Sequence, residues 1–560
     1  MGASPDVLRF GRHRLSEEES SIRRSRWILA TAAVVALVIA GGLIVALRRP
    51  AEPTAALPPP VFAAAPDIDH IYEGAFPFVV GGGVAAFDCD TDGRSDLFFA
   101  GGENATSLYR NESSVGGDLR FVEVTDPATA LTEVTGAYPL DIDSDGLTDL
   151  AVLRFGENVL LRGLGDCRFE LGNERWGFDG GDDLTTAFSA RWESGAGMPS
   201  LAFGNYVTLD ESGRQDGSCA DNVFIPPDGA TFGAAVPLSP GWCTLSMLFS
   251  NWDRSGTPDL RVTNDRHYYR DGEEQLWRID AVAGPGLYTR EEGWKKVQIW
   301  GMGIASHDVT GDGMPEVLLA SMADNKLQTL EDGAGQPTYR DIAIRSGVTA
   351  HRPFTGGDVQ PSTAWHAEFQ DVNNDGFVDL FIAKGNVDVM PDFALQDPNN
   401  LLMGGPDGTF VEGAEAAGIV HFGSTRGAVV VDLNLDGLLD LVEVNRGSSV
   451  TVWRNMGVAG DTGTNWIAIK PSQEGANPDA IGAWLEVKVG DHVMQRELTV
   501  GGGHAGGQTG FAHFGLGPAE EARVRVQWPD GMTGAWVTVR ANRFFVMGRG
   551  TGEAAQWSPR

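Results

Sequence analysis

Cysteine and lysine are scarce in this 560-residue chain, at four and six residues. The cysteines form neither a CxxC pair nor a CxxCH motif, which speaks against a cysteine zinc site or an attached c-type haem. The usual catalytic signatures are missing too: there is no GxSxG, no HExxH and no P-loop lysine. Basic residues number 42 against 76 acids, a formal charge of −34. Such a surface repels phosphate backbones, so no nucleic-acid partner is expected. Glycine is abundant, at 74 residues, but without a three-residue period, which excludes collagen. A glycine-rich chain with 9% aromatics and 42% hydrophobic residues reads as many short strands joined by tight turns.

One long apolar run stands near the start. Trp27 to Leu47 is 21 residues without a charge, enough helix to cross a bilayer core. Arg9, Arg12, Arg14, Arg23, Arg24 and Arg26 precede it, and only Arg48 and Arg49 follow closely. This bias predicts an uncleaved single-pass anchor with the N-terminus (1–26) in the cytoplasm and the bulk periplasmic or extracellular. Residues 48–66, rich in Pro and Ala, read as an extended linker. The first 50 residues are net +4, so the exported remainder is −38.

Those acids are organised. Asp88, Asp90, Asp92, Gly93 and Asp96 recur as Asp141, Asp143, Asp145, Gly146 and Asp149. The pattern returns as Asp371, Asn373, Asp375, Gly376 and Asp379, then as Asp432, Asn434, Asp436, Gly437 and Asp440. All four read D-x-[DN]-x-D-G-x-x-D. Two departing copies lie between: Asn251, Asp253, Ser255, Gly256 and Asp259; and Asp308, Thr310, Asp312, Gly313 and Glu316. A seventh frame, around Trp192, Ser194, Ala196 and Ser200, has lost the carboxylate at every ligand position. The frames start 53, 51, 59, 57, 63 and 61 residues apart, the size of a four-stranded propeller blade with long loops.

Positions 1, 3 and 5 of such a loop aim three oxygens at one centre, and glycine at position 6 permits the bend. Position 7 can offer a carbonyl and position 9 another carboxylate. This hard, oxygen-only shell suits Ca²⁺, with four intact sites and two further candidates. Without histidine or cysteine ligands, zinc and copper are disfavoured. An EF-hand would need Glu at position 12 and flanking helices. Here position 12 is Phe99, Val152, Ile382 and Glu443, and the flanks alternate like strands.

The stretches Val84–Gly93 and Arg426–Gly437 resemble FG-GAP or VCBS repeats, the blade units of integrin-α-type β-propellers. The resemblance implies a seven-bladed β-propeller over 67–460, with each acidic loop joining neighbouring strands of a blade around one calcium. It adds the carbonyls of Arg94, Leu147, Phe377 and Leu438 to the ligands. Asn465-Trp466, Ala480–Ala483, His513–Gly517 and Trp528–Gly531 resemble the ASPIC/UnbV domain, a small β-sandwich or barrel expected over 461–550, with 551–560 as a tail. Propeller plus this domain is the arrangement of the cartilage acidic protein family and its bacterial relatives. The family implies extracellular calcium binding and adhesion-like interaction. The EGF-like module of animal members is missing, so matrix roles tied to it do not carry over.

The expected whole is therefore an all-β, membrane-anchored, calcium-binding module for a protein or glycan partner. The rival is a hydrolase or lyase with its site in the propeller funnel. Clustered acids, histidines and arginines converging there would favour it, and Trp365-His366 precedes an intact loop. Gly501, Gly503 and Gly506 fit GxGxxG, but no helical pattern follows, so they read as a turn of the C-terminal module. His504 and His513 read as structural. Cys219–Cys243 and Cys89–Cys167 are the candidate disulfides.

Overall fold

The structure is a computed structural model and describes residues 56–66, 68–209, 215–265, 272–280, 283–331, 335–460 and 463–559. The expected anchor over 27–47, the tail before it and the start of the linker lie outside these residues. Among the described residues no helix is long and apolar enough to cross a membrane.

The chain is all-β and propeller-like. Most of it forms small antiparallel sheets of four strands taken in sequence. Sheet 1 contains Val84–Phe87, Asp96–Phe99, Ser107–Asn111 and Phe121–Val124. Sheet 2 begins with Val134–Leu140 and Asp149–Arg154, sheet 3 with Thr185–Arg191 and Ser200–Asn205, and sheet 4 with Thr244–Ser250 and Asp259–Asn264. Sheets 5, 6 and 7 begin with Gly301–His307, Ala364–Gln370 and Thr425–Val431. The first strands of consecutive sheets are neighbours, and that of sheet 7 returns to that of sheet 1. These strands are covered on both faces, which is why Val134–Leu140 and Thr244–Ser250 are buried along their whole length. The strand pairs expected after Leu108, Val159, Leu276 and Leu401 are present as the outer hairpins.

Sheet 7 departs from the sequence reading. Its fourth strand is Phe62–Ala64, which pairs with Ser449–Asn455 from the far end of the ring. The segment expected as an extended linker therefore supplies a closing strand, satisfying backbone groups that an open edge would expose. Both candidate disulfides are formed, Cys89–Cys167 and Cys219–Cys243.

The C-terminal domain holds two four-stranded sheets over one core that includes Ile467, Leu485, Val524 and Phe545. Alternation in Glu521–Gln527 turns Val524 and Val526 inward. Ala554–Trp557, expected within a tail, is an edge strand against Arg543–Gly548, held by Trp557 packing on Phe511 and Phe544.

The glycine stretch also differs from its expected role. Val500 to Gln508 leaves the C-terminal domain and enters the space between the first strands of the sheets. It bridges Ala190 of sheet 3, Leu248 of sheet 4, Ile304 of sheet 5 and Ala137 of sheet 2, then pairs with Ala85 and Ala86 of sheet 1. Only glycine allows so close an approach. A Cβ on Gly83 would stand 1.7 Å from the Ala505 carbonyl oxygen, and one on Gly136 would stand 2.2 Å from it.

Candidate metal centres

Each acidic loop joins the first strand of its sheet to the second, so all lie at the same end of the ring. The hydrogen bonding repeats from loop to loop. The Asp88 carboxylate accepts the Asp92 N–H at 3.1 Å and the Gly93 N–H at 2.8 Å. Asp141, Asp371 and Asp432 accept the corresponding pair. At position 5, Asp92, Asp145, Asp375 and Asp436 each accept the N–H of position 7. Position 9 ties the loop to the sheet: Asp96 accepts from Cys89 at 2.7 Å and from Asn111 at 2.8 Å. Asp149, Asp379 and Asp440 do the same.

This bonding curls each loop around its acids. Carboxylate oxygens of Asp88, Asp90 and Asp96 lie within 4.8 Å of one another, as do those of Asp141, Asp143 and Asp149. Burial pushes the carboxyls up, Asp96 and Asp149 to about 8, Asp141 to about 6 and Asp432 to about 7. Burial and then neighbouring carboxylates raise Asp371, Asp379 and Asp440 as well. A cation beside them would favour the ionised form and offset this shift. Among the described residues of the intact loops, two buried acceptors have no hydrogen-bond partner, Asn434 Oδ1 and Asp143 Oδ1, both at position 3. The oxygen donor set, the curl and these unmet acceptors fit Ca²⁺.

The loops are not equivalent. Arg162, outside the motif, lies on the second, with Nε 3.0 Å from Asp143 Oδ2 and Nη2 2.6 Å from Asp145 Oδ2. Arg94 pairs with Asp92 through its side chain. The third intact loop is the most enclosed: Asp375 Oδ2 accepts the Leu57 N–H at 2.7 Å, and Asn373 Nδ2 donates to Leu57 O at 3.2 Å. Arg454 approaches Asp436 at 3.8 Å.

In the departing loops, position 9 takes side-chain donors. Asp259 Oδ2 accepts from Trp252 Nε1 at 2.9 Å and Tyr288 OH at 2.7 Å. Glu316 takes up the Val309 and Thr310 N–H groups and the Thr329 hydroxyl. Asn251, Asp308 and Asp312 keep their turn bonds to Gly256, Gly313 and Met314, and Asp253, half-buried, accepts the N–H of the exposed Ser255 at 3.0 Å. In the frame at 192, Arg191 donates to Glu193 at 3.1 Å and Ser200 donates to the same carboxylate at 2.8 Å. A protein cation there meets the acid.

A cavity of about 250 Å³ lies between the glycine stretch, the first strands and the C-terminal domain, and His307, His366, Glu368 and Arg496 line it. These groups face one another. Glu368 accepts from Gln370, Gln508 and the Val430 N–H, Arg496 donates to Gln370 at 2.8 Å, and His366 Nδ1 accepts the His504 N–H at 3.1 Å. The Val500–Gln508 segment occupies the channel above them.

Comparison with known proteins agrees with the resemblance. Residues 88–152 and 371–443 match the FG-GAP-like repeat family, and residues 473–554 match ASPIC and UnbV. Cartilage acidic protein 1 of Mus musculus is 24% identical over 489 residues, spanning 80% of this chain and 70% of that protein. The Homo sapiens protein of that name is 24% identical over 489 residues, 80% of this chain and 69% of its own length. Among solved structures, a lectin of Agrocybe aegerita aligns over 68% of this chain and 92% of its own, at 15% identity and a TM-score of 0.39, too loose a likeness to bear on function. The chain carries FG-GAP-like repeats followed by an ASPIC and UnbV domain, and cartilage acidic protein 1 is among the proteins it is similar to.

Proposed function

We propose that this protein is a calcium-loaded, seven-bladed β-propeller, anchored by one N-terminal helix, that serves outside the cytoplasm as a binding or adhesion module for a protein or glycan partner. The observation that carries the reading is the repeated geometry of the acidic loops: one carboxylate gripped by two backbone N–H groups, a second capping position 7 and a third tied to the sheet. The circuit of first strands supports seven blades. The ligands in the intact loops would be Asp88, Asp90, Asp92 and Asp96; Asp141, Asp143, Asp145 and Asp149; Asp371, Asn373, Asp375 and Asp379; and Asp432, Asn434, Asp436 and Asp440. The carbonyls of Arg94, Leu147, Phe377 and Leu438 would join them.

Calcium would supply charge that lets these carboxyls ionise together, bracing the junction of first and second strands. Extracellular modules bind it with Kd on the order of 10⁻⁴ to 10⁻³ M, so at millimolar calcium the loops would be loaded and braced. His307, His366, Glu368 and Arg496 do converge in the funnel beneath the glycine segment, and they are the groups the enzymatic reading would use. Capture of a partner by the full chain, compared in calcium and in EGTA, tests the reading. Calcium-dependent retention of a defined protein or glycan supports it. Turnover of a glycan or ester substrate abolished by Glu368→Gln would replace it with the enzymatic one.

A further inference from the structure

The loops do more than surround a centre; their tips meet the C-terminal domain. The fourth residue of each of the six acid-bearing loops has positive φ: Thr91, Ser144, Arg254, Gly311, Asn374 and Leu435. That left-handed backbone is uncommon for residues other than glycine, asparagine and aspartate, so it is costly at Arg254 and Leu435. Four of these residues touch the domain. Asn374 Oδ1 lies 2.6 Å from His513 Nε2, and the Asn374 carbonyl accepts the Gly517 N–H at 2.9 Å. Arg254 lies over the Trp484 ring at 4.0 Å and donates to Gln495 at 2.7 Å. Ser144 Oγ accepts the Asn477 N–H at 3.2 Å. Leu435 joins Trp466 and Phe544 in an apolar cluster. The glycines at position 6 admit the same domain, since a Cβ on Gly437 would stand 1.8 Å from Trp466 and one on Gly93 would stand 2.3 Å from Trp557.

The root of the channel segment is held at the same face. Glu497, three residues before Val500, accepts the Asn251 N–H at 2.8 Å and the Ser250 hydroxyl at 2.7 Å. Docking of the domain and filling of the channel are therefore one arrangement, resting on the curl of the loops.

We propose that the cation-loaded loops are the docking surface for the chain's own C-terminal domain, and that losing the cations releases the domain and withdraws Val500–Gln508 from the channel. The proposal rests on the calcium reading and adds regulation to it. Without a cation the carboxylates repel, the curl slackens, and the fourth residue relaxes from its left-handed backbone and leaves its contact. Calcium level then decides whether the channel and its inward-facing groups are closed or open to a partner.

Hydrogen exchange of the full chain tests this, with calcium uptake measured in parallel. In ~1 mM calcium, peptides covering 500–508 should be protected. EGTA should raise their exchange by about tenfold while Asp379–Lys384, inside sheet 6, stays protected. The double variant Asn374→Gly/Leu435→Gly removes docking side chains and no ligand, and keeps the positive-φ backbone. It should bind calcium as the wild type does, yet exchange 500–508 about tenfold faster in calcium. If calcium binds but chelation leaves 500–508 unchanged, or if the double variant stays protected, the docking proposal fails and the calcium reading survives. If the sheets open together with 500–508, the domain does not detach separately and the proposal fails. No calcium uptake would defeat both.

Discussion

The Ala505 carbonyl accepts the Ala137 N–H at 3.0 Å, so a residue of the C-terminal domain is hydrogen-bonded inside the ring of sheets. The contact depends on Gly83 and Gly136, which leave the carbonyl room. Gly136→Val should cost about 1–3 kcal/mol by overpacking. Gly197→Ala, which puts its new methyl in open space, should stay within about 0.5 kcal/mol. Denaturant unfolding of both variants checks this; equal stability would mean the channel is not filled.

Asp375→Ala and Asp436→Ala should each lower stability measured in calcium by about 1.4 kcal/mol, the linkage expected of one site at ten times its Kd. The difference should shrink in EGTA for Asp436→Ala. It should shrink less for Asp375→Ala, which also loses the bond from Leu57. Ser194→Ala, in the frame without acids, should match the wild type in both media. Melting with and without chelator gives the comparison.

Lys384 and Asp397 form an ion pair 2.8 Å long with no solvent exposure on either side chain. Asp397 also accepts from the Ser362 hydroxyl and the Thr363 N–H. Lys384→Met leaves that carboxylate unpaired and should cost about 3–5 kcal/mol. Lys384→Met/Asp397→Leu should recover part of the loss. A double variant no more stable than the single would show that the cost lies in packing.

His504 is buried, and burial holds its imidazole down to about 3. It stays neutral in the fold and protonates near 6.5 once unfolded. Its contribution is present above 6.5 and is lost as pH falls, by ~2 kcal/mol between pH 6.5 and 5. His504→Phe keeps a ring against Trp365 and should flatten that part of the stability–pH profile. An unchanged slope would contradict the assignment.

How much of this was legible in the sequence depends on how specific each residue is. Asp, Asp, Asp, Gly and Asp at fixed offsets is a demand that few structures other than an oxygen cradle make, so the loops and the sheet junctions they mark could be read directly. Phe62–Ala64 is three residues in a Pro/Ala-rich stretch, and nothing local pairs it with Ser449–Asn455 nearly 400 residues away. The 501–507 glycines declare conformational freedom but not the wall they approach. The fourth loop positions carry Thr, Ser, Arg, Gly, Asn and Leu, so no residue type announced the docking role. Arg162 lies outside the motif and showed its tie to Asp143 and Asp145 only through pairing of the strands. The glutamate at 443, noted only as position 12, is buried and binds Asn399 and Trp453 across sheets 6 and 7.

Calcium titration of the metal-free chain, with bound ion counted directly, tests the central claim most directly. Four to six ions per chain, with uptake reduced by one in Asp432→Ala, is the predicted result. A chain that takes up no calcium at millimolar concentration and melts identically in EGTA would contradict it.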